Sequence, residues 1–153
     1  MKPVVYLATD HAGFALKNIL ATYLRDTLHC DVVDCGAHSL DDADDYPDTI
    51  AIAARKISEN PTAKAIILGG SGQGEAMVAN RFPNVRATVY YGGDDEILAL
   101  SREHNDANVL SLGARFLDDD AAKKAVSKWL SGEFTNEPRH QRRIKKIEHA
   151  TRT

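Results

Sequence analysis

The stretch AIILGGSGQGE, residues 65–75, decides the fold of this chain. Its first four residues are an apolar run, which is typical of a short strand that is covered on both faces. A glycine-rich turn follows at residues 69–74, and the apolar spacing from Glu75 to Arg81 then fits an amphipathic helix. A buried strand, a tight turn and a helix in this order predict an α/β fold with a mainly parallel sheet.

The same alternation of strand and helix patterns extends along the whole chain. The predicted strands are Val4–Ala8, Asp31–Val33, Ala65–Leu68, Arg86–Tyr91 and Asn108–Leu112. The predicted helices are Phe14–Leu28, Thr49–Ile57, Glu75–Arg81, Asp95–Arg102, Ala121–Leu130 and, after Pro138, Arg139–Glu148. We therefore expect a single-domain, doubly wound (Rossmann-like), five-stranded and mainly parallel sheet that is flanked by helices.

Length and composition set the limits for this prediction. With 153 residues the chain is expected to form one domain, 1–153, with a C-terminal arm at about 138–153. The net charge of -3 gives no reason to expect nucleic acid or a membrane as a partner. No apolar run reaches the ~18 residues of a membrane span and no signal-peptide pattern is present, so we expect a cytoplasmic protein. Cys30 and Cys35 flank a predicted strand, so we expect free thiols.

The glycine-rich turn lies where a doubly wound sheet binds its ligands, beyond the carboxyl ends of the strands. Backbone N–H groups at a helix start can hold an anion. A dinucleotide fingerprint would need Gly or Ala where Glu75 stands, and no Gly-Lys-Ser/Thr follows for a P-loop. The alternative is a purely structural turn in which Glu75 caps the helix near its third position. Spacing alone leaves both interpretations open.

Three other polar segments could carry chemistry, although each also has an ordinary explanation. Asp10-His11 follows the first strand, where an Asp cap and a surface His are common. The acidic run at 41–45 precedes Tyr46, and such runs are usually solvated loops. Residues 102–106 include a histidine at a predicted helix end, where the helix dipole favours a charged imidazole.

The basic tail is a fourth candidate. Arg139 and Arg143 are four residues apart and share a helix face, which suits a phosphate group. A solvated basic helix is the alternative. Nucleic acid is not expected as its partner, because no aromatic residues are interleaved with the basic ones.

Five short segments, weak one by one, become specific when they occur in this order along nearly the whole chain. They are Asp10–Gly13, Asp45–Pro47, Gly69–Glu75 with Ala79–Arg81 behind it, Ser101–Leu110 and Arg139–Arg143. Together they resemble the ribose-5-phosphate isomerase B family, which includes isomerases for galactose 6-phosphate and allose 6-phosphate. The resemblance implies interconversion of ribose 5-phosphate and ribulose 5-phosphate without metal or other cofactor. It also implies a homodimer, or a tetramer, with active sites shared between subunits and a C-terminal helix that reaches the partner.

The resemblance further implies the identity of the catalytic base. Many family members have a catalytic cysteine at the position of Gly69, and this sequence departs from that pattern. A subgroup has glycine there and a glutamate six residues later, which Glu75 matches. We expect Glu75 to move a proton between neighbouring carbon atoms through an enediolate. The N–H groups of Gly70–Gly74 would stabilise the enediolate oxygen, and Ser71 would donate a hydrogen bond to a substrate hydroxyl.

The same resemblance assigns the remaining site residues. His104 would open the furanose ring, with Asp45 as a candidate proton partner. The residues expected to hold the sugar are Asp10, His11, Tyr46, Asn105 and, in the turn, Gly70, Gly72, Gln73 and Gly74. The residues expected to hold the phosphate are Arg115, Arg139, His140 and Arg143.

Two alternatives to a ribose-5-phosphate isomerase stay open in the sequence. One is an isomerase of hexose 6-phosphates such as allose or galactose 6-phosphate, because pocket depth decides sugar length. The other is a non-catalytic sensor that binds phosphosugars. Glu75 distinguishes the sensor from an enzyme, since a sensor needs no base at the start of this helix.

Overall fold

The computed structural model describes residues 2–150 and has five strands in one sheet. The strands are β1 (Val4–Thr9), β2 (Asp31–Asp34), β3 (Lys64–Gly69), β4 (Ala87–Tyr90) and β5 (Val109–Gly113). The helices are α1 (Phe14–Asp26), α2 (Tyr46–Glu59), α3 (Gln73–Ala79), α4 (Glu96–Glu103), α5 (Asp119–Ser131) and α6 (Pro138–His149). Residues 151–153 of the predicted arm lie outside the described residues.

The strand order is β2-β1-β3-β5-β4, and every neighbouring pair is parallel. Thr9 pairs with Leu68, and Gly69 pairs with Gly113. The carboxyl ends of β1, β3 and β5 therefore meet at one edge of the sheet, which we call the carboxyl edge. The prediction of a doubly wound α/β sheet is confirmed, and in the described residues the sheet is wholly parallel.

Alternate residues of the central strand supply two separate hydrophobic cores. Ile66 and Leu68 face the core that α1 and α5 cover, whereas Ile67 faces the core that α2 covers. This follows from the two-residue period of a strand, which sends successive side chains to opposite faces. Trp129 of α5 is fully buried in the first core. Strands covered on both faces explain the near-continuous apolar runs in the sequence.

The element boundaries differ from the predicted ones by up to three residues. The largest shift is at α2, which begins at Tyr46 because Pro47 lies in its first turn, where proline suits a helix. Helix α1 ends two residues early, and the backbone turns left-handed soon afterwards at His29. Cys30 and Cys35 are both free and buried, as predicted. None of the helices in residues 2–150 has the length and apolar character needed to cross a membrane.

A buried lysine holds the loop after β2 against the end of β1. The Nζ atom of Lys17 lies 2.7 and 2.6 Å from the two carboxylate oxygens of Asp34 and donates to the Ala37 carbonyl at 2.7 Å. Thr9 donates its N–H to the Gly36 carbonyl and accepts a bond from the N–H of Ala37. The fully buried Lys17 thereby fixes the beginning of the loop that carries the acidic run at 41–45.

We expect Asp34→Asn to lower the free energy of unfolding by about 3 kcal/mol, because it leaves the buried Lys17 charge without its counterion. This loss is at the low end of the usual range, since part of Asp34 is exposed. Urea unfolding measures the loss. Adding Lys17→Met should restore much of the stability, since no unpaired charge then stays buried. A loss below about 1 kcal/mol for Asp34→Asn would contradict this account.

Candidate active site

The glycine-rich turn is fixed to the neighbouring strand by one buried hydroxyl. Gly72 has a φ of 76°, in the left-handed region that favours glycine, and it immediately precedes α3. Its carbonyl accepts a hydrogen bond of 2.6 Å from the buried Ser111 hydroxyl of β5. The exposed Ser71 accepts from the N–H of Gln73 at 3.3 Å. Ser111 thus sets the position of the turn, and no sequence motif marked it.

Glu75 lies in the first turn of α3 and is only 4% exposed. Burial raises the pKa of its carboxyl group; its own backbone N–H opposes this effect, and the charge of Asp10 adds to it. A carboxylate in such a place is a stronger base than an ordinary glutamate. Glu75 occupies the third position of α3, which the capping interpretation expects, but its carboxylate accepts from its own backbone N–H.

Gly69 leaves the space that the Glu75 carboxylate fills. A Cβ atom built on Gly69 would overlap both carboxylate oxygens and the carboxyl carbon of Glu75. A cysteine at position 69 is therefore incompatible with Glu75 in its present position. The glycine at 69 and the glutamate at 75 are two parts of one physical arrangement.

A carboxylate pair and a histidine lie beside this turn at the end of β1. Asp10 is buried and accepts from the N–H of Ala12 at 2.9 Å. His11 Nδ1 lies 2.7 Å from Asp44 Oδ1, which also accepts from the His11 N–H at 3.1 Å. The bond to Asp44 raises the pKa of His11, although burial opposes it. Ligand atoms of Asp10, His11 and Asp44 lie within 4.8 Å of one another, so this trio could hold a metal ion.

Asp44 makes the contact with His11, whereas Asp45 is the residue that the resemblance assigns as proton partner of His104. Asp45 is exposed, and its side chain makes no capping bond at the start of α2. The acidic run was visible in the sequence, but spacing does not tell which of its members turns toward a histidine 33 residues earlier. The role assigned to Asp45 stays a prediction.

Tyr46 and Arg115 both lie close to the turn. A Cβ atom on Gly74 would lie 2.6 Å from the Tyr46 hydroxyl, and one on Gly70 would lie 3.2 Å from Arg115 Nη1. The two glycines thus allow these side chains to approach the turn closely. We call the residues at this edge the carboxyl-edge group. It consists of Asp10, His11, Asp44, Tyr46, Gly69–Glu75 and Arg115.

The other predicted site residues lie elsewhere. His104 follows the last residue of α4, before β5 begins. Its ring stacks on the ring of His140, with centroids 4.3 Å apart and planes at 12°. Burial, then the neighbouring His104 and Arg139, lower the pKa of His140, which is 2% exposed. Asn105 is exposed next to this stack.

The sheet separates this second group from the first within one chain. Helix α4 returns the chain from the carboxyl end of β4 to the start of β5, so His104 lies at the opposite, amino edge of the sheet. Five residues of β5 span about 16 Å between the two edges. The amino-edge group, as we call it, consists of His104, Asn105, Arg139, His140 and Arg143. One chain therefore holds the predicted site residues in two groups at opposite edges of its sheet.

Similarity to known proteins identifies the family of this chain. The profile described as ribose/galactose isomerase matches residues 5–147. The chain belongs to this ribose/galactose isomerase family. Ribose-5-phosphate isomerase B of Mycolicibacterium paratuberculosis is 38% identical to it over 149 residues, which are 97% of this chain and 92% of that protein.

Solved structures of the family agree with the fold. Ribose-5-phosphate isomerase B from Mycoplasma genitalium, with bound ribulose 5-phosphate, has a TM-score of 0.92 and 37% identity and covers 99% of this chain and 98% of its own. The protein from Anaplasma phagocytophilum has a TM-score of 0.87 and 37% identity, with coverages of 95% and 97%. The predicted family and fold are confirmed, whereas the assignment to a glutamate-base subgroup stays a prediction.

We expect Glu75→Gln to raise the melting temperature at neutral pH. Burial raises the pKa of Glu75 in the folded chain, so the ionised carboxylate opposes folding, and a neutral amide of the same shape does not. The difference should fade as the pH falls through the raised pKa to the ordinary glutamate value of about 4.3, where the carboxyl is protonated in both states. Thermal unfolding at several pH values measures it.

The matched control is Glu59→Gln, which removes an exposed carboxylate at the end of α2. It should give no comparable gain at neutral pH. An equal gain in both variants would show that net charge, and not the burial of Glu75, causes the effect.

Proposed function

We propose that this chain is an aldose–ketose isomerase that interconverts ribose 5-phosphate and ribulose 5-phosphate. The observation that carries the proposal is the buried carboxylate of Glu75, held against a glycine-rich turn at the carboxyl edge of the sheet. Two relatives are ribose-5-phosphate isomerases B, and one of them was solved with bound ribulose 5-phosphate, which supports the same substrate. A sensor that only binds sugar phosphates has no use for a buried base at this position.

The carboxyl-edge group supplies the parts for proton transfer. Glu75 takes the proton from C2 of the open aldose and returns it to C1, while the hydroxyl proton of O2 passes to O1. Between these steps the enediolate oxygen carries negative charge, and the N–H groups of Gly70–Gly74 lie at the turn to stabilise it. His11, whose positive form Asp44 favours, donates to a sugar oxygen.

The amino-edge group supplies ring opening and phosphate binding in this proposal. His104 opens the furanose ring, and Arg139 and Arg143 on α6 bind the phosphate together with Arg115. Since one chain holds the two groups at opposite edges of its sheet, a complete site needs a second copy. We therefore propose a homodimer in which each site combines the carboxyl-edge group of one subunit with the amino-edge group of the other.

Exposed apolar side chains support such an assembly. Met77 of α3, Tyr91 after β4 and Phe116 after β5 are 66%, 52% and 65% exposed. The rings of Tyr91 and Phe116 pack edge to face, with centroids 5.9 Å apart. Groups of large apolar side chains that are exposed to solvent in a single chain are typical of subunit interfaces. A cytoplasmic location remains a prediction from the sequence.

The direct test is an isomerisation assay on a panel of pentose and hexose phosphates, with a chelator present. We expect turnover of ribose 5-phosphate, with solvent deuterium incorporated, and no loss of activity on chelation, because backbone donors stabilise an enediolate without a metal. Preference for a hexose 6-phosphate would replace the proposed substrate by the alternative. The opposite outcome is that chelation stops turnover and a divalent ion restores it. If Asp44→Asn then prevents this rescue, a required metal lies on Asp10, His11 and Asp44.

The shared site predicts recovery of activity in mixed dimers. Glu75→Gln and His104→Ala chains should each be inactive alone. After subunit exchange, half of the dimers are mixed and each of these has one intact site, so activity should reach about a quarter of wild type. Mass spectrometry of tagged chains confirms the exchange. Mixed dimers without activity would show that each chain completes its own site.

A further inference from the structure

The stack of two histidines at the amino edge suggests a role for His140 that differs from the one implied by family resemblance. We infer that His140 is a positioning residue, which holds the imidazole of His104 in the orientation needed for ring opening and does not bind the phosphate. This inference rests on the proposed function, because it concerns how one of its groups is held.

The first observation is the burial of His140. Its side chain is 2% exposed, and its Nε2 atom is buried without a hydrogen-bond partner; the Glu137 carboxylate lies 3.8 Å away. That carboxylate is already engaged by Arg139 Nε at 2.8 Å. A side chain that binds the phosphate must point an N–H group toward it, as the exposed Arg139 and Arg143 can do. The Nε2 atom of His140 is hidden from solvent, and the face of its ring lies against His104.

The second observation is the geometry of the stack. Centroids 4.3 Å apart and planes at 12° put the two rings in van der Waals contact over their faces. His104 lies beyond the last turn of α4 and is half-buried, so its own helix does not fix its ring. Burial and the nearby His104 and Arg139 lower the pKa of His140, which favours the neutral form of its ring. The stack thus restrains the rotation of the His104 ring.

The third observation is that the stack is built by one subunit. The N–H and hydroxyl of Thr135 both donate to the Glu103 carbonyl, next to His104. At the other end of α6, Glu148 accepts from the Asn84 N–H at 3.1 Å and lies 3.5 Å from Arg86. Helix α6 is therefore attached to its own chain at both ends. His104 arrives at the dimer interface already oriented.

Two substitutions separate positioning from phosphate binding. His140→Phe keeps a flat ring and removes both ring nitrogens, whereas His140→Asn keeps a polar N–H group and removes the ring. Because a small displacement of a catalytic group costs up to about 100-fold in rate, we expect Asn to lower kcat at least about tenfold with little change in KM. Phe should keep kcat within about threefold of wild type. Arg143→Ala is the comparison for lost phosphate contact and should raise KM.

Two further measurements accompany the kinetics. Inhibition by inorganic phosphate should be unchanged in both His140 variants and weaker in Arg143→Ala. Proton NMR of the His104 ring should show the ring-current shift of a stacked neighbour in wild type and His140→Phe, and not in His140→Asn. Thermal unfolding identifies any variant that does not fold, and the folded one of the pair then decides the question.

The reverse order of the variants overturns the inference. If His140→Phe raises KM and weakens phosphate inhibition while His140→Asn stays close to wild type, His140 is a phosphate donor. Wild-type kinetics in both variants would show that His140 neither positions His104 nor binds the phosphate, which also overturns the inference. Turnover by the wild-type chain is measured first: its absence overturns the proposed function and this role with it, whereas an active wild type with the reverse order overturns the role alone.

Discussion

The buried carboxylate of Glu75 exists in its position only because residue 69 has no side chain. That vacancy lies at the end of β3, the central strand, where the sheet places the ends of β1 and β5 beside it. Ser111 holds the turn through the Gly72 carbonyl, and the turn in turn sets the start of α3 on which Glu75 lies. Burial of the Glu75 carboxylate raises its pKa and makes it a stronger base at the carboxyl edge of the sheet.

The length of the parallel strands imposes the second constraint. A helix that connects two parallel strands must begin at the carboxyl edge and end at the amino edge, so His104 at the end of α4 cannot lie near Glu75 of the same chain. In the proposed function, proton transfer and ring opening consequently take place at different ends of one small domain. In the proposed dimer, the carboxyl edge of one subunit lies against the amino edge of the other, so that each site receives both groups. The positions of the two groups in the fold are the reason for proposing a dimer.

Much of this could be predicted from the sequence because its signals are local. The two-residue and helical periods predicted every strand and α-helix with small errors, and the departure at Gly69 and Glu75 was visible within seven residues. What could not be predicted depends on long-range contacts. The acidic run does not reveal that Asp44 faces His11, no pattern marks Lys17 as a buried anchor for Asp34, and burial of His140 against His104 depends on the path of α6.

The measurement that tests the central claim most directly is the kcat of Glu75→Gln on ribose 5-phosphate, compared with wild type at the same pH. The substitution removes the proton-accepting group and keeps its shape. If Glu75 is the base, kcat should fall by about 100-fold or more, the usual contribution of general base catalysis, while the protein remains folded and binds phosphate. Near-normal turnover by folded Glu75→Gln chains would contradict the account, because the buried carboxylate would then have no part in the chemistry.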